Sequence, residues 1–194
     1  IRVDSENMPS LARLRTALAK KNPAGVGSLP ITKEMCTKFI QQINIDPTLS
    51  EHQRITYRAW ITTAFSEMKR AGEYAYDKRT RRTFQNKDLK LTQTRAGNPQ
   101  FIWTREKGKT HQEGSTANPL QSTIVCKCKK WGMTMCPAHN MFQLAMHKAQ
   151  TQIANKPGDP VFARLNADGS THPYNTYEFG AILRRLVEQT GYGR

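Results

Sequence analysis

The chain has 194 residues, which is enough for one substantial core or for one domain with part of another. It carries 30 Lys and Arg against 15 Asp and Glu, a formal net charge of +15, while a hydrophobic share of 37% excludes a wholly disordered tail. It contains neither 18 consecutive apolar residues nor a basic helix with a broad Trp and Leu face, so we expect no membrane partner. Nucleic acid is the expected polyanion.

The first thirty residues divide into a helix and a linker. Leu11, Leu14 and Leu18 repeat at helical spacing, and Asn22-Pro23 ends the helix because proline pushes the preceding residue out of the α region. We therefore predict residues 1–21 as the end of an upstream helical domain, 22–30 as a linker and 31–194 as the main domain. No apolar leader segment is visible, which predicts an intracellular protein: nuclear in a eukaryote, otherwise in the cytoplasm or nucleoid.

Two amphipathic helices are predicted next. Thr32 suits an N-cap, the residues Met35, Phe39, Ile40 and Ile43 share one face, and Asp46-Pro47 ends the first helix. Ser50 and Gln53 form a capping box for a second helix that reaches Lys69. Its wide apolar stripe consists of Ile55, Ala59, Ile61, Ala64, Phe65 and Met68.

The apolar period then changes. Leu89 and Leu91, residues 101–103 and residues 123–125 predict short strands, with residues 100–126 forming a β-hairpin that has a long basic turn. Pro137 begins another helix, Val161-Phe162 predicts a strand, and Asn175 caps the last helix. The predicted fold class is mainly α with a small antiparallel β-sheet, in the order helix, helix, three strands, helix, helix.

Residues 126–139 form a C-x-C-x7-C-x2-H cluster. Its members Cys126, Cys128, Cys136 and His139 are ligands that tetrahedral zinc accepts, although C-x-C is tighter than the usual C-x2-C. Two alternatives stay open: a structural zinc that braces the hairpin against the next helix, or reduced thiols with a capping histidine. Four protein ligands would close the coordination shell, so a catalytic zinc is not expected.

Several segments in this order resemble the catalytic domain of the tyrosine recombinase or phage integrase family. AFSEMKRAGEY resembles the box in which a buried helix presents the first catalytic arginine, and KDLKL and REKGKT resemble the following strand and the hairpin that carries a lysine. LPITKEMCTKFIQQI resembles the start of that domain, CPAHNMFQLAMHKA a helix start within it, and residues 158–191 its later strand and helix. The resemblance covers residues 28–191 and implies that residues 1–21 end a DNA-clamping domain.

The resemblance implies a DNA breaking and rejoining enzyme of a mobile element that forms a 3′-phosphotyrosine intermediate. Arg70 would stabilise the phosphate in the transition state, Glu73 would hold that guanidinium, and Lys109, with Lys107 as its alternate, would protonate the leaving 5′-oxygen. Catalysis would need no cofactor. The partner is duplex DNA, on which the protein acts alone or as a homo-oligomer. The residues expected to neutralise phosphates are Lys69, Lys78, Arg79, Arg81, Arg82, Lys107, Lys127, Lys129 and Lys130.

The family's HxxR box and nucleophilic tyrosine are absent from residues 1–194. None of the six tyrosines occupies the nucleophile's position, so the chain as given is expected to be inactive alone. Two alternatives follow. One is a noncatalytic DNA-binding protein on the same scaffold, braced by zinc; the other is a basic RNA-binding domain in which Trp60, Trp103 and Trp131 stack bases.

Overall fold

The computed structural model describes residues 31–67, 75–76, 83–105 and 120–192. Within them lie five helices, one short 3₁₀ helix and two antiparallel sheets. The helices are α1 (Lys33–Ile45), α2 (Glu51–Glu67), α3 (Cys128–Trp131), α4 (Pro137–Thr151) and α5 (Thr176–Gln189). The 3₁₀ helix spans Asn86–Asp88, and the strands are β1 (Leu89–Gln93), β2 (Pro99–Arg105), β3 (Leu120–Val125), β4 (Ala163–Leu165) and β5 (Thr171–Pro173). The predicted α+β class is confirmed at this level.

The helix starts follow the predicted capping chemistry. The Thr32 hydroxyl accepts a hydrogen bond from the Met35 N–H at 3.2 Å, and Ser50 and Gln53 exchange two bonds of 2.9 and 3.2 Å before α2. Pro137 occupies the first turn of α4, where its missing N–H costs nothing, and Asn175 caps α5 in a reciprocal pair with Glu178. These local rules therefore set four of the five helix starts.

The three-stranded sheet has the order β1-β2-β3, and β2 is its centre. Leu91 pairs with Phe101, and Phe101 pairs with Ile124 on the other side. Phe101, Trp103 and Ile124 are buried, so one face of the sheet closes the core. The opposite side of that core comes from α4, which packs against β2 and β3 and also against α2.

Aromatic side chains fill the centre of the molecule. Trp60 of α2 stacks on Phe179 of α5 with ring centroids 3.9 Å apart, and Phe84 meets Trp103 edge to face at 4.9 Å. Both tryptophans are 1% exposed. Burial of such large rings contributes more to stability than any single hydrogen bond on the surface, so α2, α5 and the sheet are held together mainly by these contacts.

The strand predicted at Val161-Phe162 is wrong by two residues. Both side chains are buried, but the ladder begins at Ala163, which pairs with Pro173 in a two-stranded sheet. The Val161 N–H instead donates to the Phe84 carbonyl at 2.8 Å. The apolar character that suggested a strand therefore reflects burial under the aromatic core. The sequence analysis also missed β5, α3 and the 3₁₀ helix.

A buried lysine joins the 3₁₀ helix to the segment after α4. Lys148 is 3% exposed, and its ammonium donates to Asn86 Oδ1 at 2.7 Å, to the Pro160 carbonyl at 2.9 Å and to the Val161 carbonyl at 3.3 Å. Burial lowers the pKa of Lys148 to about 8. Asn86 extends the connection, because its amide donates to the Ala154 and Lys156 carbonyls.

Replacing Lys148 by Met should lower the free energy of unfolding at pH 7 by about 2 kcal/mol, because buried acceptors lose their donor. The native protein should also gain stability as pH rises from about 8 toward 10.5, where the unfolded lysine still holds a proton that the folded one has released. Lys148→Met should lack that gain. Urea unfolding at several pH values measures both effects. The exposed neighbour Lys87 supplies the control, since Lys87→Met should change stability by less than about 0.5 kcal/mol.

Candidate metal centre

Three thiols and one imidazole come together between the sheet and α4. Cys126 follows the last residue of β3, Cys128 begins α3, Cys136 is the N-cap of α4, and His139 lies in the first turn of α4. Their four ligand atoms all lie within 4.8 Å of one another. The chain between Cys128 and Cys136 thus folds back on itself, and the four residues could hold a metal ion.

Four of the six separations between ligand atoms lie within about 0.5 Å of those around one tetrahedral ion, and all six are at most 4.8 Å. The Sγ atoms of Cys126 and Cys136 are 3.9 Å apart, and His139 Nδ1 lies 3.1, 3.4 and 3.7 Å from the sulfurs of Cys128, Cys136 and Cys126. Metal–sulfur bonds of about 2.3 Å and metal–nitrogen bonds of about 2.05 Å at tetrahedral angles require separations of about 3.8 Å for S···S and about 3.6 Å for S···N. The donor set therefore fits such an ion.

The cluster favours a cation on electrostatic grounds. Burial, together with the thiols of Cys126 and Cys136, raises the pKa of the Cys128 thiol to about 12. Three thiolates would repel one another in so small a volume, whereas a bound cation stabilises the deprotonated ligands. Two backbone N–H groups already point at sulfur: that of Lys127 donates to Cys136 at 3.2 Å and that of Cys128 donates to Cys126 at 3.5 Å. Such bonds support negative charge on the ligands.

The site has a structural character. Cys136 is fully buried, and the other three residues are half-buried beside the core. Four protein side chains would complete a tetrahedral shell and leave no position for a substrate. Cys36, the fourth cysteine, is buried in α1, and burial raises the pKa of its thiol to about 12. It belongs to the hydrophobic core, outside the cluster, so its substitution can be compared with that of a cluster cysteine.

The metal loop, defined as residues 126–139, packs against the end of α2. Lys127 Nζ donates to the Ser66 hydroxyl at 2.5 Å and lies 4.5 Å from the centre of the Trp131 ring. That ring in turn contacts Phe65 at a centroid distance of 5.5 Å. Phe65 and Ser66 belong to the last turn of α2, so the cluster and the end of this helix are held in one arrangement.

The lysines predicted to bind DNA differ in their surroundings. Lys129 and Lys130 are exposed on α3, whereas Lys127 is half-buried between Ser66 and Trp131. The predicted catalytic residues Arg70, Glu73 and Lys109 lie outside the described residues. So do the remaining predicted phosphate contacts, Lys69, Lys78, Arg79, Arg81, Arg82 and Lys107.

One basic residue beside the cluster was missed from sequence. The Lys33 ammonium, at the start of α1, donates to the Lys130 carbonyl at 3.3 Å. The two residues are 97 positions apart, and no local spacing connects them. Only the packing of α1 near the metal loop reveals that Lys33 joins this basic group.

Comparison with known proteins gave no match: no family model fits the chain, and no curated protein or solved structure is significantly similar to it. Among the helices in the described ranges, none has both the length and the apolar character needed to cross a bilayer. The site therefore has to be interpreted from its own geometry.

The reduced chain should bind one Zn²⁺ or Co²⁺ per molecule, with the Co²⁺ form showing the absorption of tetrahedral cobalt–thiolate coordination. Cys136→Ser should weaken binding by at least about 100-fold, because even the loss of an outer partner of a ligand costs 10- to 100-fold. Competition with a chromophoric chelator measures the affinity. Cys36→Ser, which removes a thiol outside the cluster, should bind metal as the native chain does. Equal affinity of the two variants would contradict the assignment of Cys136 as a ligand.

Proposed function

We propose that the chain is most of the catalytic domain of a tyrosine-type DNA recombinase of a mobile element, and that its cysteine cluster holds a structural zinc. The observation that carries the proposal is the order of the described elements. Helix α2 spans Glu51–Glu67, Arg70 follows three positions later in the sequence, and the next sheet along the chain is the three-stranded antiparallel sheet β1-β2-β3. This is the order of elements that the resemblance implies.

The hairpin gives further support. Strands β2 and β3 pair from Gln100 with Val125 to Arg105 with Leu120, so residues 106–119 connect two adjacent strand ends. Lys107 and Lys109 belong to that connection. A lysine carried there could approach a DNA groove, where its flexible stem would deliver a proton to a leaving oxygen.

In the proposed reaction each group has a definite task. The Arg70 guanidinium donates two hydrogen bonds to the equatorial phosphate oxygens, which gain charge in the transition state, and it stays protonated throughout. Glu73 orients that guanidinium. Lys109 protonates the 5′-oxygen as the phosphodiester bond breaks. The attacking tyrosine lies beyond Arg194 in this proposal, so the complete protein is the catalyst.

Zinc fits the cluster better than other common ions. Thiolate and imidazole ligands in tetrahedral geometry are the usual environment of structural Zn²⁺, while Mg²⁺ and Ca²⁺ prefer oxygen. When bound, the ion would supply cross-linking only. Cys126 at the end of β3 and Cys136 and His139 at the start of α4 would then be joined next to the last turn of α2.

The RNA-binding alternative loses support from burial. Trp60 and Trp103 are each 1% exposed, and Trp131 packs between Lys127 and Phe65. Base stacking needs an exposed aromatic face.

The noncatalytic DNA-binding alternative shares all the described geometry and differs only in whether the complete protein carries a nucleophile.

A nicked duplex that traps the covalent intermediate tests the proposal. The complete protein should become covalently linked to this DNA. Arg70→Lys should reduce the rate of adduct formation by at least about 100-fold, because a fixed hydrogen-bond donor to the transition state is lost, while DNA affinity should change little. Gel analysis of the adduct measures the effect. Arg95→Lys, on the exposed β1–β2 turn, is the matched control and should react normally.

The hairpin lysines are separated by the same assay. Lys109→Ala should slow covalent capture of a substrate with an ordinary 5′-bridging oxygen. The rate should recover with a substrate whose 5′-bridging atom is sulfur, because sulfur leaves without a proton. Lys107→Ala should not slow capture of either substrate. A complete protein that binds duplex DNA without any adduct would identify the noncatalytic alternative instead.

A further inference from the structure

Three exposed lysines, two within the metal loop and one beside it, form what we call the lysine patch: Lys129, Lys130 and Lys33. Lys129 and Lys130 are consecutive on α3, and Lys33 reaches the same place through its bond to the Lys130 carbonyl. All three side chains are exposed. The patch therefore presents a concentrated positive surface next to the cluster.

In the described part of the chain, no salt bridge joins a carboxylate to Lys33, Lys129 or Lys130. From Gly114 to Gly158 the chain contains no Asp or Glu, while it carries lysines at 127, 129, 130, 148 and 156. Glu34, the neighbour of Lys33, is engaged by the Lys38 ammonium at 3.4 Å and by the Tyr192 hydroxyl at 3.4 Å. The ammonium groups of the patch thus remain available to an external anion.

Lys127 has a different position and a different task. Its ammonium is held between Ser66 and Trp131, and its N–H supports the Cys136 sulfur. An ion of charge +2 with three thiolates of total charge −3 and a neutral imidazole leaves −1 on the centre. The Lys127 ammonium is already occupied by Ser66 and the Trp131 ring, whereas the Lys129 and Lys130 side chains are exposed.

The shape of the patch depends on the metal ligands. Helix α3 has four residues, far fewer than a helix needs to be stable alone. It is fixed by Cys128 at its first position and by the Lys127 carbonyl, which accepts from the N–H groups of Lys130 and Trp131 at 3.0 and 2.8 Å. Gly132 then leaves the helix with φ of 77°, a conformation that favours glycine. The segment is also held by the Trp131 ring on Phe65 and by the Lys33 bond to the Lys130 carbonyl, and ligation of Cys128 and Cys136 at its two ends would fix the positions of Lys129 and Lys130.

We infer that the lysine patch is a binding surface for the phosphate backbone of duplex DNA, and that metal binding at Cys126, Cys128, Cys136 and His139 assembles it. The inference rests on the proposed function, because it takes DNA as the partner. It differs from that proposal in assigning Lys33 to the surface, in removing Lys127 from it and in making part of the DNA affinity depend on the metal.

The salt dependence of DNA affinity tests the inference. The metal-loaded chain binds a labelled duplex at several salt concentrations, and the slope of log K against log [salt] counts phosphate contacts. Lys129→Gln with Lys130→Gln should reduce the slope by about 2, and Lys33→Gln should reduce it by about 1, for any duplex sequence. Lys127→Gln should leave the slope nearly unchanged while weakening Co²⁺ binding.

A matched pair of lysines controls for total charge. Lys87 and Lys156 are exposed beside the loop that follows α4. They are separated from the patch by α4, whose 15 residues span about 22 Å. Lys87→Gln with Lys156→Gln removes the same two charges and should change the slope by less than 1. An equal loss in the two double variants would overturn the inference.

Metal removal provides the second arm. Chelation should lower the slope of the native chain by about 2, and it should have no further effect on the Lys129→Gln, Lys130→Gln variant. Circular dichroism checks that the metal-free chain remains folded; if it unfolds, the metal-loaded variants alone decide the question. If chelation leaves the salt slope of DNA affinity unchanged while the chain stays folded, the proposed metal dependence is overturned.

The outcomes separate this inference from the proposed function. If the native chain binds duplex DNA and the patch variants behave like the control, the inference fails and the proposed DNA partner stands. If the native chain prefers single-stranded RNA or binds no nucleic acid, both fail. Retention of the Co²⁺ absorption in the Lys129→Gln, Lys130→Gln variant shows that a lost slope comes from the surface and not from a lost metal.

Discussion

The convergence of three sulfurs and one nitrogen within 4.8 Å is the constraint on which the arrangement of β3, α3 and α4 depends. These atoms come from the end of β3, from α3 and from the start of α4. Their positions therefore fix the path of the chain from the sheet into α4, which packs against the sheet. Cross-linking of this kind stabilises small elements that have too little apolar surface of their own. The four-residue helix α3 is the clearest example.

The same constraint extends to α2. Through Lys127 and Trp131 the metal loop holds Ser66 and Phe65, which form the last turn of that helix. Further back, Trp60 anchors α2 on Phe179. The helix is therefore secured at its middle by aromatic burial and at its end by the loop. The proposed recombinase would gain from such support, because it would present the Arg70 guanidinium to a phosphate, and phosphate recognition by arginine depends on angle as well as charge.

The lysines of the metal loop and the proposed zinc site lie close together on one part of the surface. In the proposed zinc site the ligands would leave a small negative charge at the centre. The Lys127 ammonium is held by Ser66 and the Trp131 ring, and Lys129 and Lys130 are exposed. In the proposed arrangement one loop would carry both the metal ligands that join β3 to α4 and the exposed lysines that contact phosphate. The buried Lys148 shows the opposite use of the same side chain, since its ammonium is wholly occupied by Asn86 and backbone carbonyls.

The sequence by itself determined the features that are written in local chemistry. Caps at Thr32, Ser50 and Asn175, the proline start of α4, the hydrophobic faces of α1 and α2, and the α+β class all follow from spacings of a few residues, where short-range sterics and hydrogen bonds dominate. It also indicated Cys126, Cys128, Cys136 and His139 as one ligand group, since they lie within fourteen positions.

Only the tertiary structure decided what depends on distant contacts. Burial of Val161 and Phe162 beneath the aromatic core, and not strand pairing, accounts for their apolar character, and the true ladder starts at Ala163. The separate roles of Lys127 and Lys129, and the arrival of Lys33 from 97 residues away, have no counterpart in local spacing. A side chain's surroundings come from elements remote in the chain, and a pattern of neighbours carries no information about them.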